Sequence, residues 1–249
     1  MIRLSLALIL FSVFSAHGTD QGCIEGDCNN GTGVYIDENG NRLEGRFASG
    51  KLEGEGEKQF VFGAHYKGQF KQGSFDGLGS YYDEEGALFS HYKGEWKDGK
   101  RNGQGTRYYK MGRRAEGHWK DGYLDGKATI YFEPGVRFEE FEGQWQDGKP
   151  VSGTMHLKNG NRYEGEYADL AIRHGKGTLY QVNGTRCGGD WGVGKLIEGS
   201  CHFSSGDRYE GHFQNNKFHG EGTYYYAGGK TQQGPWENGK PVNSGGLEK

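Results

Sequence analysis

A five-residue signature, aromatic–acidic or Lys–Gly–polar–aromatic, returns at intervals of 22 to 26 residues along this chain of 249. Its clearest copies are Tyr66-Lys67-Gly68-Gln69-Phe70, Tyr92-Lys93-Gly94-Glu95-Trp96, Phe141-Glu142-Gly143-Gln144-Trp145, Tyr163-Glu164-Gly165-Glu166-Tyr167 and Tyr209-Glu210-Gly211-His212-Phe213. Looser copies centre on Gly45, Gly117, Gly189 and Gly234. Self-similarity at such a period marks stacked units that bury their apolar faces only against their neighbours.

The second half of each unit is as regular. A turn such as Asp98-Gly99, Asp121-Gly122, Asp147-Gly148 or Asn238-Gly239 leads into a Gly-x-Gly step (Gly54/Gly56, Gly77/Gly79, Gly103/Gly105, Gly175/Gly177, Gly220/Gly222) and then a Thr-aromatic run such as Thr106-Arg107-Tyr108-Tyr109. Asp-Gly and Asn-Gly suit tight hairpin turns, and Asn39-Gly40, Asn159-Gly160 and Asn183-Gly184 are expected to act alike between units. In an extended strand Tyr92, Gly94 and Trp96 share one face, and Lys93, Glu95 and Lys97 the other. The small glycine between two rings leaves room for an aromatic ring of the paired strand or of the next unit. One hairpin per unit, with about 4.8 Å between strands, gives nine units a ribbon on the order of 90 Å long.

This order of elements resembles the MORN (membrane occupation and recognition nexus) repeat family over residues 43–243, and Gly22, Gly31 and Gly33 repeat it as a half unit. The resemblance implies an all-β fold, an elongated single-layer antiparallel array of about nine hairpins. It also implies a binding role, because in relatives that carry a lysine methyltransferase or a lipid kinase the activity lies in a separate domain.

Residues 1–18, with Arg3, the apolar run Leu4–Phe14 and the small residues Ala16 and Gly18, read as a signal peptide cleaved after Gly18. The apolar run is too short for a membrane span, which needs about 20 residues. Residues 19–42 are then an N-terminal cap with the half repeat, 43–243 the array, and 244–249 a polar tail. The four cysteines fall into two local pairs, Cys23 with Cys28 and Cys187 with Cys201. An array brings only sequence neighbours together, so local disulfides are expected among the three possible connectivities. Metal binding competes, although neither pair has Cys-x-x-Cys spacing. The expected location is secreted or periplasmic, and Asn30 and Asn183 stand in glycosylation patterns that turns or steps of the repeat also require.

Gly contributes 48 residues, but its periodicity and the 14% aromatic content set the chain apart from disordered low-complexity sequence. No nucleophile elbow, His-Glu-x-x-His or phosphate-binding loop occurs. Glu44, Glu116, Glu142, Glu164 and Glu210 recur alike, whereas glycosidase chemistry needs one unique carboxylate pair. No enzyme activity and no cofactor or metal are therefore expected. The net charge of −3 disfavours broad nucleic-acid binding, while Lys93 to Lys120 forms a local basic stretch.

The candidate binding residues are Tyr92, Trp96, Trp119 and Trp145, read as a half-exposed aromatic stripe, with Arg113 and Arg114. Their expected partner is a protein or a membrane surface, with anionic lipid or glycan as ligand classes. A carbohydrate surface using the stripe is the alternative. The open sheet end near Trp236, blunted by Pro235 and Pro241, points to a monomer or a weak end-to-end dimer.

Overall fold

A computed structural model describes residues 21–84 and 89–242. The signal-peptide reading of 1–18 and the tail at 244–249 lie outside the described residues. Among the described residues twenty strands run from β1 (Gly22–Gly26) and β2 (Thr32–Ile36) to β19 (Thr231–Glu237) and β20 (Lys240–Pro241) in one antiparallel sheet. Each strand pairs with the next in sequence. The fold is the expected all-β array of hairpins.

The pair β7 (Phe89–Lys97) and β8 (Lys100–Tyr109) shows how a unit is built. Its turn places Asp98 at φ 49° and Gly99 at φ 78°, the left-handed pair of a tight hairpin. Beyond the turn Trp96 faces Arg101 and Gly94 faces Gly105, so β8 carries a bulge of two extra residues, where Gly103 takes φ 76°. The first glycine of the Gly-x-Gly step thus serves the bulge. The second, Gly105, lies opposite the signature glycine, and any side chain there would overlap the Tyr92 ring. In hairpins without the first glycine, at Gln144/Trp145 and Asp190/Trp191, the bulge shrinks to one residue.

The ring over the glycine pair therefore belongs to the signature strand itself, not to a paired strand or the next unit. Tyr66, Tyr92, Tyr163 and Tyr209 lie flat in this way, and their hydroxyls donate to the carbonyls of Gln69, Glu95, Glu166 and His212. What the next unit contributes is an indole. Trp96 Nε1 donates to Gly79 O at 3.2 Å, Trp119 to Gly105 O at 3.0 Å, Trp191 to Gly177 O at 2.9 Å and Trp236 to Gly222 O at 3.1 Å. Edge-to-face packing accompanies each bond, as between Tyr92 and Trp119 with centroids 5.5 Å apart at 82°.

The between-unit loops depart from the sequence expectation. Only Gly40, Gly160 and Gly184 take positive φ there, while the preceding asparagines do not. The hydrogen bonds Gly40 N to Asp37 O and Asp37 N to Asn41 O define a longer loop, repeated at 157–161 and 181–185.

One turn stands in conflict with its residue type. Val193 occupies the position of Asp98 with φ 49°, and a β-branched side chain is strained in that region. Val193 is also 83% exposed, so packing offers no compensation. Val193→Asn is expected to stabilise the hairpin by about 1 kcal/mol, readable as a shift in urea midpoint at unchanged slope.

Candidate interaction face

The aromatic row is the core of this sheet. Tyr92 is 2% exposed, Trp96 8%, Trp119 3% and Trp145 7%, so the half-exposed stripe expected from the sequence does not exist. The reason is a third layer of contacts. A residue two places after the turn glycine lies across the tyrosine ring: Phe75 stacks on Tyr66 at 3.7 Å and 10°, and Phe218 reaches from the equivalent place onto Tyr209 at 3.8 Å and 11°. Leu52, Leu124, Pro150 and Leu196 hold this lid position in other hairpins and are buried.

Two lids are arginines. The Arg101 guanidinium lies 5.7 Å from the Tyr92 ring centroid and 4.9 Å from that of Trp119. Arg173, on β14 (Ile172–Tyr180), lies 4.9 Å from Tyr163 and 5.1 Å from Trp191. Cation–π attraction offsets part of the cost of taking such a charge out of water. Arg101 donates from Nη2 to Gly122 O at 2.7 Å, but its Nε is buried with no hydrogen-bond partner. Burial, and then the neighbouring Arg107, holds its guanidinium below the usual arginine range.

Around these lids the face is concave. A cavity of about 320 Å³ is lined by Phe75, Tyr81, Asp83, Tyr92, Arg101 and Arg107, and another of about 240 Å³ by Arg101, Arg107, Tyr109, Arg113 and Trp119. Farther along, a cavity of about 320 Å³ is lined by Arg137, Phe138, Tyr167 and Arg173.

The basic stretch of the sequence does not form one belt. Arg113 reaches the aromatic face, 5.2 Å from Tyr109 and 5.8 Å from Phe132, with its Nε buried and unpartnered. Arg114, the next residue, lies on the opposite face, over Tyr131 at 3.6 Å and 4.0 Å from Glu116. The paired candidates are thus separated by the thickness of the sheet. Arg101, Arg137 and Arg173 were absent from the sequence-derived site. Their signal was available for the two lids, as charged residues where aligned units carry Leu, Phe or Pro.

The outer face is self-compensating. Arg42 pairs with Glu44 at 2.5 Å, Arg162 with Glu164 at 2.8 Å, and Arg208 with Glu210. From β9 (Arg114–Lys120) to β13 (Arg162–Asp169) the recurrent glutamates alternate with threonines across the strands, as Glu116, Thr129, Glu142, Thr154 and Glu164, whereas Glu44 lies opposite Glu57. His65, Tyr82, His91 and Tyr108 stack in series at 4.5, 5.3 and 4.2 Å. Among the described residues no group of His, Cys, Asp and Glu could hold a metal ion. The sulfur atoms of Cys23 and Cys28 are 2.02 Å apart, as are those of Cys187 and Cys201, both at bonding distance.

Burial of the tyrosine core carries a pH consequence. It pushes the phenols of Tyr163 and Tyr209 up to about 12, and raises those of Tyr66 and Tyr92 as well. An unfolded tyrosine ionises near 10. The folded state therefore holds protons that the unfolded state loses, and stability is full below about pH 10 and falls as the pH rises towards about 12. Part of the tyrosinate absorbance is expected to appear only together with loss of the β-sheet circular dichroism signal. Ionisation of all sixteen tyrosines with the sheet signal intact would show these rings to be accessible.

No curated protein sequence matches the chain. Among solved structures, the TCP domain of SAS-4 (dCPAP) from Drosophila melanogaster, in complex with a proline-rich motif of Ana2 (dSTIL), aligns over 86% of this chain and 99% of that one, at 13% identity and a TM-score of 0.31. The TCP10 domain of Danio rerio CPAP, in complex with a peptide of STIL, aligns over 86% and 100% at 15% identity and a TM-score of 0.26. Similarity at that level carries no argument about fold or function. The MORN repeat profile, in contrast, matches residues 66–87, 92–112, 116–137, 141–162, 171–186 and 209–231. With those six segments covering half of its length and every matched unit folded as a hairpin of the same sheet, the chain belongs to the MORN repeat family.

Proposed function

We propose that the protein is an exported, non-catalytic repeat scaffold that binds another protein or a membrane surface. The observation that carries this reading is the use made of the signature side chains. Tyrosines cover glycines, indoles bond the preceding unit and lids cover the rings, so the repeated chemistry is spent on packing, and only the solvated faces remain for a partner. The repeated carboxylates lack the unique pairing that hydrolysis requires. Two cysteine pairs at bonding distance support an oxidising compartment and, with the N-terminal apolar run, export. The carbohydrate reading rested on rings able to stack on sugars, and those rings are buried.

The test is affinity isolation from the native compartment with the intact disulfide-bonded chain, together with turnover assays on hydrolysable substrates. Recovery of a stoichiometric partner or of membrane supports the scaffold. Turnover abolished by a single substitution, with folding intact, would replace it by an enzyme. Sequencing of the secreted chain is expected to begin at Thr19.

A further inference from the structure

Elsewhere in the array the fold shows what the lid position requires, and it is an apolar side chain. Arg101 and Arg173 meet that need poorly, since each places a charge on a floor of buried rings where Phe75 and Phe218 cover the other two signature tyrosines that carry a stacked lid. On the outer face Arg42, Arg114, Arg162 and Arg208 each pair with a glutamate two residues further along the same strand. On the aromatic face Arg101, Arg113, Arg137 and Arg173 have no ion pair among the described residues. Among the described residues these four arginines line the three cavities, where Asp83 is the one carboxylate, in a chain whose net charge is −3.

From this imbalance we infer that the aromatic face is a docking track for an acidic peptide segment, whose carboxylates enter the arginine-lined cavities. The inference rests on the binding-module reading and specifies its partner. Arginine forks bind carboxylates in two-point geometry and tolerate an aromatic floor better than lysine does. β8 and β14 are six strand steps apart, about 29 Å at about 4.8 Å per step, which an extended peptide covers in about nine residues. A sugar chain would need open ring faces, and the guanidinium groups already lie over them. Recessed arginines suit Asp and Glu side chains, which can enter a cavity, better than the flat headgroup layer of a bilayer.

The test uses fluorescence anisotropy with a labelled ten-residue oligoglutamate, the intact oxidised chain and three variants. Arg101→Leu and Arg173→Leu install the side chain that other hairpins carry at the lid, and each is expected to weaken binding at least tenfold while melting no lower than the parent. Arg114→Gln, on the opposite face, is expected to stay within twofold. Arg113→Gln gives a second reading on the same cavity should a lid variant fail to fold. Absence of saturable binding by the folded parent overturns the inference, and so does equal weakening by Arg114→Gln. Preferential binding to heparin or to phosphatidylserine vesicles, with the peptide ignored, likewise overturns it. If the lid variants still recover the native partner in affinity isolation, the acidic track is rejected and the scaffold reading stands.

Discussion

Gly105→Ala is expected to destabilise the protein by about 2–4 kcal/mol, far more than an alanine at most strand positions. The backbone of Gly105 needs no unusual φ, so the effect is steric. A Cβ there would overlap the Tyr92 hydroxyl and ring and lie 2.7 Å from its Cε2. The ring cannot withdraw, because it is held beneath Arg101 and against Trp96 and Trp119. The protein contains its own control. In the hairpin of β9 (Arg114–Lys120) and β10 (Tyr123–Tyr131), the signature aromatic is replaced by Ala115, and the residue opposite Gly117 is Ala128. Removal of the ring there coincides with tolerance of a methyl group. Gly105→Ala should accordingly cost much less in a Tyr92→Ala background than in the parent, a coupling that a double-mutant cycle by urea unfolding measures directly. Additive costs would show that the ring and the glycine do not depend on each other.

Reduction of the Cys187–Cys201 bond has the second large effect, about 3 kcal/mol for a loop of about 15 residues in the chain-entropy account. The bond joins β15 (Arg186–Gly192) to β16 (Lys195–His202) at directly opposed residues. Cys187 occupies the place of the signature tyrosine, so no ring covers Gly189 and Gly199, and the turn contains the strained Val193. A cavity of about 180 Å³ lined by Arg173, Cys187, Trp191, Leu196 and Cys201 adjoins the bond. Under reductant the first proteolytic cuts are expected between residues 186 and 208, with the flanking hairpins surviving. First cuts at Arg113-Arg114 irrespective of reductant would place the weak point elsewhere.

The period, the two-faced strands and the Asp-Gly and Asn238-Gly239 turns were legible in the sequence because each rests on local rules: alternation, and positive φ at Asp or Asn and the Gly after it. The two roles within Gly-x-Gly were not. A bulge at Gly103 and a ring over Gly105 are properties of strand pairing, and one unit read alone cannot separate them. The half-exposed stripe was expected because alternation within the signature strand assigns Tyr92 and Trp96 a face but supplies nothing to cover it. The cover comes from the lid on the following strand and the indole of the next hairpin. Arg101 reads as one more polar residue in a basic run. Only alignment of the units shows it standing where leucine belongs. Arg113 and Arg114 were read as a pair because they are adjacent, and the strand alternation that separates Tyr92 from Lys93 separates them as well.

A scaffold whose units differ chemically at the lid requires that one hairpin can change without disturbing the rest. Deuterium uptake of the Gly105→Ala chain, resolved by peptide, tests that requirement most directly. Protection is expected to fall across residues 89–131, the altered hairpin and its neighbour, while strands from Phe138 onward and from Gly22 to Gln59 exchange as in the parent. Loss of protection spread evenly over all twenty strands would mean that the sheet unfolds as one cooperative body, and would contradict the array account.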